Sequence, residues 1–147
     1  MSMQTVHVER TIKAPIEKVF DLISDHANYK DFPGVKDSEL VKKGKPHKNG
    51  VGAVREIDTG SVWFQEEITA YERPVRLDYQ IVKARPAIEH RGGSVRLEET
   101  PEGTKVNWTT TLRIKVPIIG GLLTRVAAPQ LGKAIGGMLK DIERRLA

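Results

Sequence analysis

The chain has 147 residues, 39% of them apolar and 29% charged, with no cysteine and a formal net charge of +5. That length fits a single domain over residues 1–147 with a buried core, and the missing cysteine excludes disulfides, thiolate metal sites and a cysteine nucleophile. No run approaches the roughly 18 apolar residues that span a bilayer, and the cationic surplus only mildly favours anionic partners.

Residues 5–13 alternate Val6 and Val8 with His7 and Glu9, the period of a first strand. Ala14-Pro15 stops it. Pro15 suits the first position of a helix and Glu17 suits its positive start, while Ile16, Val19, Phe20 and Ile23 supply an apolar face down to Ser24. Residues 25–30 read as a short second helix or turn, broken by Phe32-Pro33-Gly34. Between Val35 and Val116 no helical period appears. Strand-like runs occupy residues 35–43, 51–58, 61–71, 75–83, 89–99 and 105–116, punctuated by Lys48-Asn49-Gly50, Asp58-Thr59-Gly60, Glu72-Arg73-Pro74 and Pro101-Glu102-Gly103. Connections this short imply hairpins, hence an antiparallel sheet. Gly92-Gly93 weakens the fifth of these runs and predicts a bulge.

The last segment is helical. Leu131, Ala134, Ile135, Met138, Leu139, Ile142 and Leu146 share one face, with Lys133, Lys140 and Arg144 opposite. A helix over residues 129–146 would be about 27 Å long. Pro129 either opens it or kinks a longer helix that starts near Ile118. Gly132 and Gly136 line one edge of the apolar stripe, which either lets the helix pack closely on a sheet or leaves room for a ligand. An antiparallel sheet with one face to bury and one large apolar helix predicts an α+β fold in which a strongly curved sheet wraps that helix. Strand alternation assigns Leu77, Tyr79 and Ile81, then Val95 and Leu97, then Val106, Trp108, Thr110, Leu112 and Ile114 to inward faces. For residues 61–71 the alternation leaves two options, Val62, Phe64, Ile68 and Ala70 or Trp63, Glu67, Thr69 and Tyr71.

The stretch Ile12-Lys13-Ala14-Pro15-Ile16-Glu17-Lys18-Val19-Phe20-Asp21-Leu22-Ile23-Ser24-Asp25 resembles the opening of the polyketide cyclase/dehydrase-like branch of the START-related (Bet v 1-like, SRPBCC) superfamily. Gly50-Val51-Gly52-Ala53-Val54-Arg55, Glu67-Ile68-Thr69-Ala70-Tyr71-Glu72-Arg73-Pro74 and Gly103-Thr104-Lys105-Val106-Asn107-Trp108 are similar to its later conserved-looking stretches. The resemblance implies a helix-grip fold: a curved seven-stranded antiparallel sheet around a long C-terminal helix, with two short helices after the first strand. It also implies a hydrophobic cavity between sheet and helix. The superfamily mixes carriers, receptors and aromatase/cyclases, so it implies a binding architecture and not a reaction.

Motifs for other chemistries are missing. His7, His26, His47 and His90 are far apart and form no His-Glu-x-x-His pattern, and there is no Walker loop, dinucleotide fingerprint or Gly-x-Ser-x-Gly. No metal or cofactor is expected. The cations at Lys42, Lys43, Lys45 and Lys48 read as a solvated loop, so nucleic acid is not an expected partner. Arg55 alternates with Ala53 and Ile57, which look inward. A buried guanidinium requires an acid such as Glu66 or Glu67, or an anionic or carbonyl-bearing ligand. Cavity candidates are therefore Arg55, Phe64, Tyr79, Ile81, Trp108 and Leu112 from the strands and Leu131, Ile135 and Met138 from the helix. Trp63 and Tyr71 join them if their face points inward, and His90 is a candidate acid or base near neutral pH. The apolar, glycine-broken run from Val116 to Val126 suggests a gate facing residues 25–34, with Phe32, Ile119, Gly120 and Leu123 at the entrance.

The leading expectation is binding or transport of a small hydrophobic molecule such as a lipid, polyketide, isoprenoid or aromatic compound. The rivals are a metal-free polyketide cyclase/dehydratase-type enzyme, weakened by the lack of an acid–base pair, and a lipid or quinone chaperone in transient contact with a membrane. The N-terminal residues lack the basic-then-apolar pattern of an export signal, so a cytoplasmic location is expected. Monomer and homodimer both remain open.

Overall fold

Seven strands pair antiparallel in the order β1-β7-β6-β5-β4-β3-β2 in the computed structural model, which describes residues 3–147, the side chain of His26 excepted. The elements are β1 (Gln4–Ile12), α1 (Ile16–Ser24), a 3₁₀ turn (His26–Asp31), β2 (Asp37–Lys42), β3 (Val54–Asp58), β4 (Trp63–Glu72), β5 (Arg76–Arg85), β6 (Ile88–Thr100), β7 (Gly103–Ile114) and α2 (Gly120–Leu146). The expected α+β helix-grip architecture is what the chain adopts. The six strands after the turn follow one another as hairpins, and β1 closes the order by pairing Gln4 with Leu112 and Ile12 with Thr104.

Bulges aim the side chains. In β4, Ile68 lies opposite Tyr79 and Tyr71 opposite Leu77, with a register shift between Ile68 and Ala70. One additional residue puts Ile68 and Tyr71 three positions apart yet both against the core. The two alternative faces of this strand are thus used in turn: Phe64, Glu66 and Ile68 first, then Tyr71, which meets Phe20 edge-on at 5.3 Å. A second shift falls between His90 and Gly93, at the expected glycine pair.

The long helix begins at Gly120 and carries Pro129 inside it, so the longer of the two sequence alternatives holds. Its 27 residues make it about 40 Å long. It lies over β1 and β7 and touches α1. The two halves are held differently. Ile135, Leu139 and Ile142 are buried in one cluster with Ile12, Val19, Phe20, Leu77, Val95 and Val106. Burial of each such aliphatic side chain stabilises the fold by about 1.5–3 kcal/mol. Glu143 then accepts from Arg10 Nη2 at 2.6 Å and from the Lys13 amide at 3.0 Å, and Arg145 donates to the Asp31 carbonyl at 2.6 Å. Before Pro129 only Gly120 and Thr124 are buried. Thr124 Oγ1 accepts from the Ile114 amide at 2.8 Å and donates to the Gly120 carbonyl at 2.7 Å, fixing the helix start to the end of β7. Gly120 and Gly121 belong to that first turn. Close packing does not require the other glycines: a Cβ on Gly132 would sit 3.5 Å from Val6 Cγ1, an ordinary contact, and one on Gly136 would meet nothing within 4 Å.

Candidate functional site

Polar side chains on the concave face gather around Arg55. It alternates with Ala53 and Ile57, both buried, and is itself only 1% exposed. Its cross-strand neighbour on β4 is Glu66, and Arg55 Nε donates to Glu66 Oε1 at 2.6 Å. The guanidinium carbon lies 5.5 Å from the Tyr79 ring centre and 5.9 Å from that of Tyr29. A buried ion pair adds little net stability over apolar residues of similar volume, while removing one partner costs about 3–5 kcal/mol. Tyr29 donates to the Ile23 carbonyl, and burial pushes its phenol above the ordinary range.

Tyr79 links this pair to a second group. Its hydroxyl accepts from Trp108 Nε1 at 2.9 Å, and its ring stacks on His90 with centres 5.5 Å apart. The seat of that ring is Gly93, the cross-strand partner of Tyr79, where a Cβ would fall 2.0 Å from Tyr79 Cζ. Gly93 therefore belongs to the site through the side chain it lacks. His90 Nδ1 accepts the Ile81 amide at 2.9 Å, so in the neutral ring the proton rides on Nε2, which donates to Thr110 Oγ1 at 2.7 Å. Burial pulls His90 down to about 4 and pushes Tyr79 up to about 12, the latter helped by Glu66 and opposed by the Trp108 bond.

The sequence candidates divide into three groups. Arg55, Tyr79 and Trp108 come together, and Leu112 and Ile135 are buried in the same interior. Phe64, Leu131 and Met138 are half-buried against the core, and Ile81 is half-buried beside His90. The proposed entrance does not assemble. Phe32 is buried beneath Arg145, whose guanidinium carbon sits 4.5 Å from its ring centre, at the C-terminal end of α2. Ile119, Gly120 and Leu123 lie at the other end, about 37 Å away along the helix. The helix runs alongside β1, which carries its start away from the 3₁₀ turn that the sequence reading placed opposite it. Trp63 also departs from the interior. It faces outward between Lys83 and Arg85, each 5.7 Å from its ring centre, and lines an open groove of about 600 Å³ on the outer sheet face with Glu56, Asp58 and Gln65.

Tyr29 is the site residue that the sequence did not point to, whereas Glu66 was one of the acids open to Arg55 and Thr110 was already on an inward face. Glu66 carried a signal, because it is the one charged residue in the otherwise apolar alternation of Phe64, Ile68 and Ala70. Tyr29 carried none, since its place depends on how the 3₁₀ turn folds over β3.

The chain matches the family described as polyketide cyclase / dehydrase and lipid transport over residues 3–147. No curated protein sequence matches it. Among solved structures it is similar to the protein TTHA0849 from Thermus thermophilus, with 24% identity, a TM-score of 0.78 and 97% of each chain covered. It is also similar to a START superfamily protein from Mycobacterium smegmatis, with 14% identity, a TM-score of 0.73 and 97% of each chain covered. The ZhuI aromatase/cyclase of a Streptomyces species aligns at 19% identity and a TM-score of 0.71, covering 99% of this chain and 97% of that one. At such identities these structures establish the fold.

Proposed function

The chain belongs to the polyketide cyclase / dehydrase and lipid transport family, and from that premise we propose that it binds a small, largely apolar molecule between the concave sheet face and α2. The observation that carries this reading is the combination of half-buried apolar side chains at Phe64, Ile81, Leu131 and Met138 with the buried Arg55, Tyr79 and His90 groups behind them. A guest covering the apolar wall would gain about 2.5 kcal/mol for each 100 Å² removed from water. A carbonyl or hydroxyl at one end would be oriented by the Tyr79 hydroxyl and the neighbouring His90–Thr110 pair. The aromatase/cyclase among the similar structures lends weight to a polycyclic or aromatic guest, and the family's lipid-transport description to an acyl one.

Binding is favoured over catalysis by the titration properties of the site. An effective general acid or base has a pKa near the working pH. His90 near 4 and Tyr79 near 12 are both displaced from neutrality, and Tyr29 is raised further.

Titration with 1-anilinonaphthalene-8-sulfonate tests the proposal. Saturable binding with one site per chain is expected. Leu131→Trp, which enlarges a half-buried side chain packed against the core beneath α2, should weaken it at least about tenfold with the thermal unfolding midpoint kept. Unsaturable binding, or binding indifferent to Leu131→Trp, would overturn the reading.

A further inference from the structure

The outward side of α2 has no partner among the described residues. Ile118 is 100% exposed, and Ile119, Leu122 and Val126 are each about half exposed or more. Leu122 and Val126 are four apart on α2 and stand on one face, with Pro129 continuing it, and Ile118 projects from the turn just before the helix. Further along the same side come Lys133, Lys140 and Arg144, all exposed, with Arg125 flanking the apolar part. Arg125, Lys133 and Lys140 form no ion pair among the described residues, and Arg144 bonds to Asp141. The only acids of α2 are Asp141, which is buried, and Glu143, which is engaged by Arg10 and Lys13. The outward face is thus an apolar nose followed by a purely cationic stripe.

The fold holds this nose out. Ile118 has φ of 71°, a left-handed conformation that a β-branched residue rarely adopts. The turn is closed by the Ile119 amide donating to the Pro117 carbonyl at 2.8 Å and the Gly120 amide to Val116 at 2.9 Å. Thr124 then anchors the helix to β7. Strain and complete exposure at one isoleucine gain nothing within the chain, and both gain something if that side chain is buried in another phase.

We propose that the nose at Ile118, Ile119, Leu122 and Val126 docks on an anionic lipid bilayer, with the Arg125–Lys133–Lys140 side turned to the headgroups. Apolar side chains enter the interface and cations meet the anionic surface, the two contributions that fix an interfacial helix. No helix here is long and apolar enough to cross a membrane, so the contact is peripheral. The surface is outside the concave site and stands independently of the ligand proposed for it.

Co-sedimentation with vesicles of phosphatidylcholine alone and with about one third phosphatidylserine is the test. Binding is expected to the anionic vesicles, weakening with salt. Ile118→Ser with Leu122→Ser should lower it at least about tenfold, and Lys133→Glu with Lys140→Glu by a similar factor or more. All four sites are exposed, so thermal unfolding should not move. Val82→Ser, an exposed apolar site on β5, should leave binding unchanged, as should Leu131→Trp. In turn, the nose variants should leave the anilinonaphthalene titration intact, which separates failure of this proposal from failure of the ligand site. Absence of vesicle binding at low salt, or binding that both double variants leave unaltered, would overturn it. So would an effect of Val82→Ser equal to that of the nose variant.

Discussion

The two ends of α2 solve different problems with one helix. After Pro129, Ile135, Leu139 and Ile142 enter the core, and Glu143 and Arg145 tie the helix to β1 and to the 3₁₀ turn. Before Pro129 the helix rests on Gly120 and Thr124, and its other apolar residues face outward or stay half-covered. The buried end builds stability, whereas the lightly held end leaves apolar surface exposed at Ile119, Leu122 and Val126. His90 belongs to this second end, since it pairs with Leu112, two residues before the Ile114 amide that Thr124 caps. The exposed apolar surface therefore collects where packing of the helix stops, as expected of segments drawn from the less stable part of a fold.

The contrast is broken most strongly at Leu139. Leu139→Ala should destabilise the protein by about 2–5 kcal/mol in denaturant unfolding, and a loss below about 1 kcal/mol would mean that the C-terminal half is not core. Next comes pH. The folded-state pKa of His90 lies below that of a free imidazole, so the folded protein holds its neutral form. That contribution is complete above about 6.5 and is lost as pH falls through 4, up to about 3 kcal/mol. The lowered carboxyls of Asp21, Asp78 and Glu143 act lower still, below their ordinary values near 4. A His90→Gln variant should lose less stability between about pH 6.5 and 4.5 than the parent, and an imidazole NMR titration centred near 6.5 would break the assignment. Thr124→Val leaves the buried Ile114 amide without its acceptor and should cost about 1–3 kcal/mol. Its sharper signature is faster amide exchange confined to residues 114–128, with residues 135–146 unaltered. Smallest is Leu122→Ala, expected within about 0.5 kcal/mol of the parent. A larger effect would show that the outer side of the N-terminal half is covered by something in solution.

Much of this was legible along the chain. Period-two alternation and the glycine and proline turns located all seven strands within a few residues, and Gly92-Gly93 announced its bulge. The inward placement of Arg55, Tyr79 and Trp108 followed from the same alternation. Glu66 as a partner of Arg55 was one option among several until the register set the two side by side. The start of α2 was ambiguous because Pro129 fits a helix opening as well as a helix interior flanked by tertiary support. Even alternation places Trp63 and Tyr71 on one face, and the bulge between Ile68 and Ala70 changes the count. The entrance at Phe32 and Leu123 failed for a different reason: which end of a helix approaches which loop is not written in either segment.

What the sequence determined by itself is local and periodic: where strands alternate, where turns fall, and which stripe of the last helix is apolar. Those features arise from steric and hydration preferences that act over a few residues. Tertiary structure alone decided that Arg55 meets Glu66 and Tyr29, that Tyr79 lies on Gly93, and that the start of α2 stands away from Phe32. Each of these is a meeting of segments distant along the chain, set by strand register and helix placement, and none is encoded in the period of a single element.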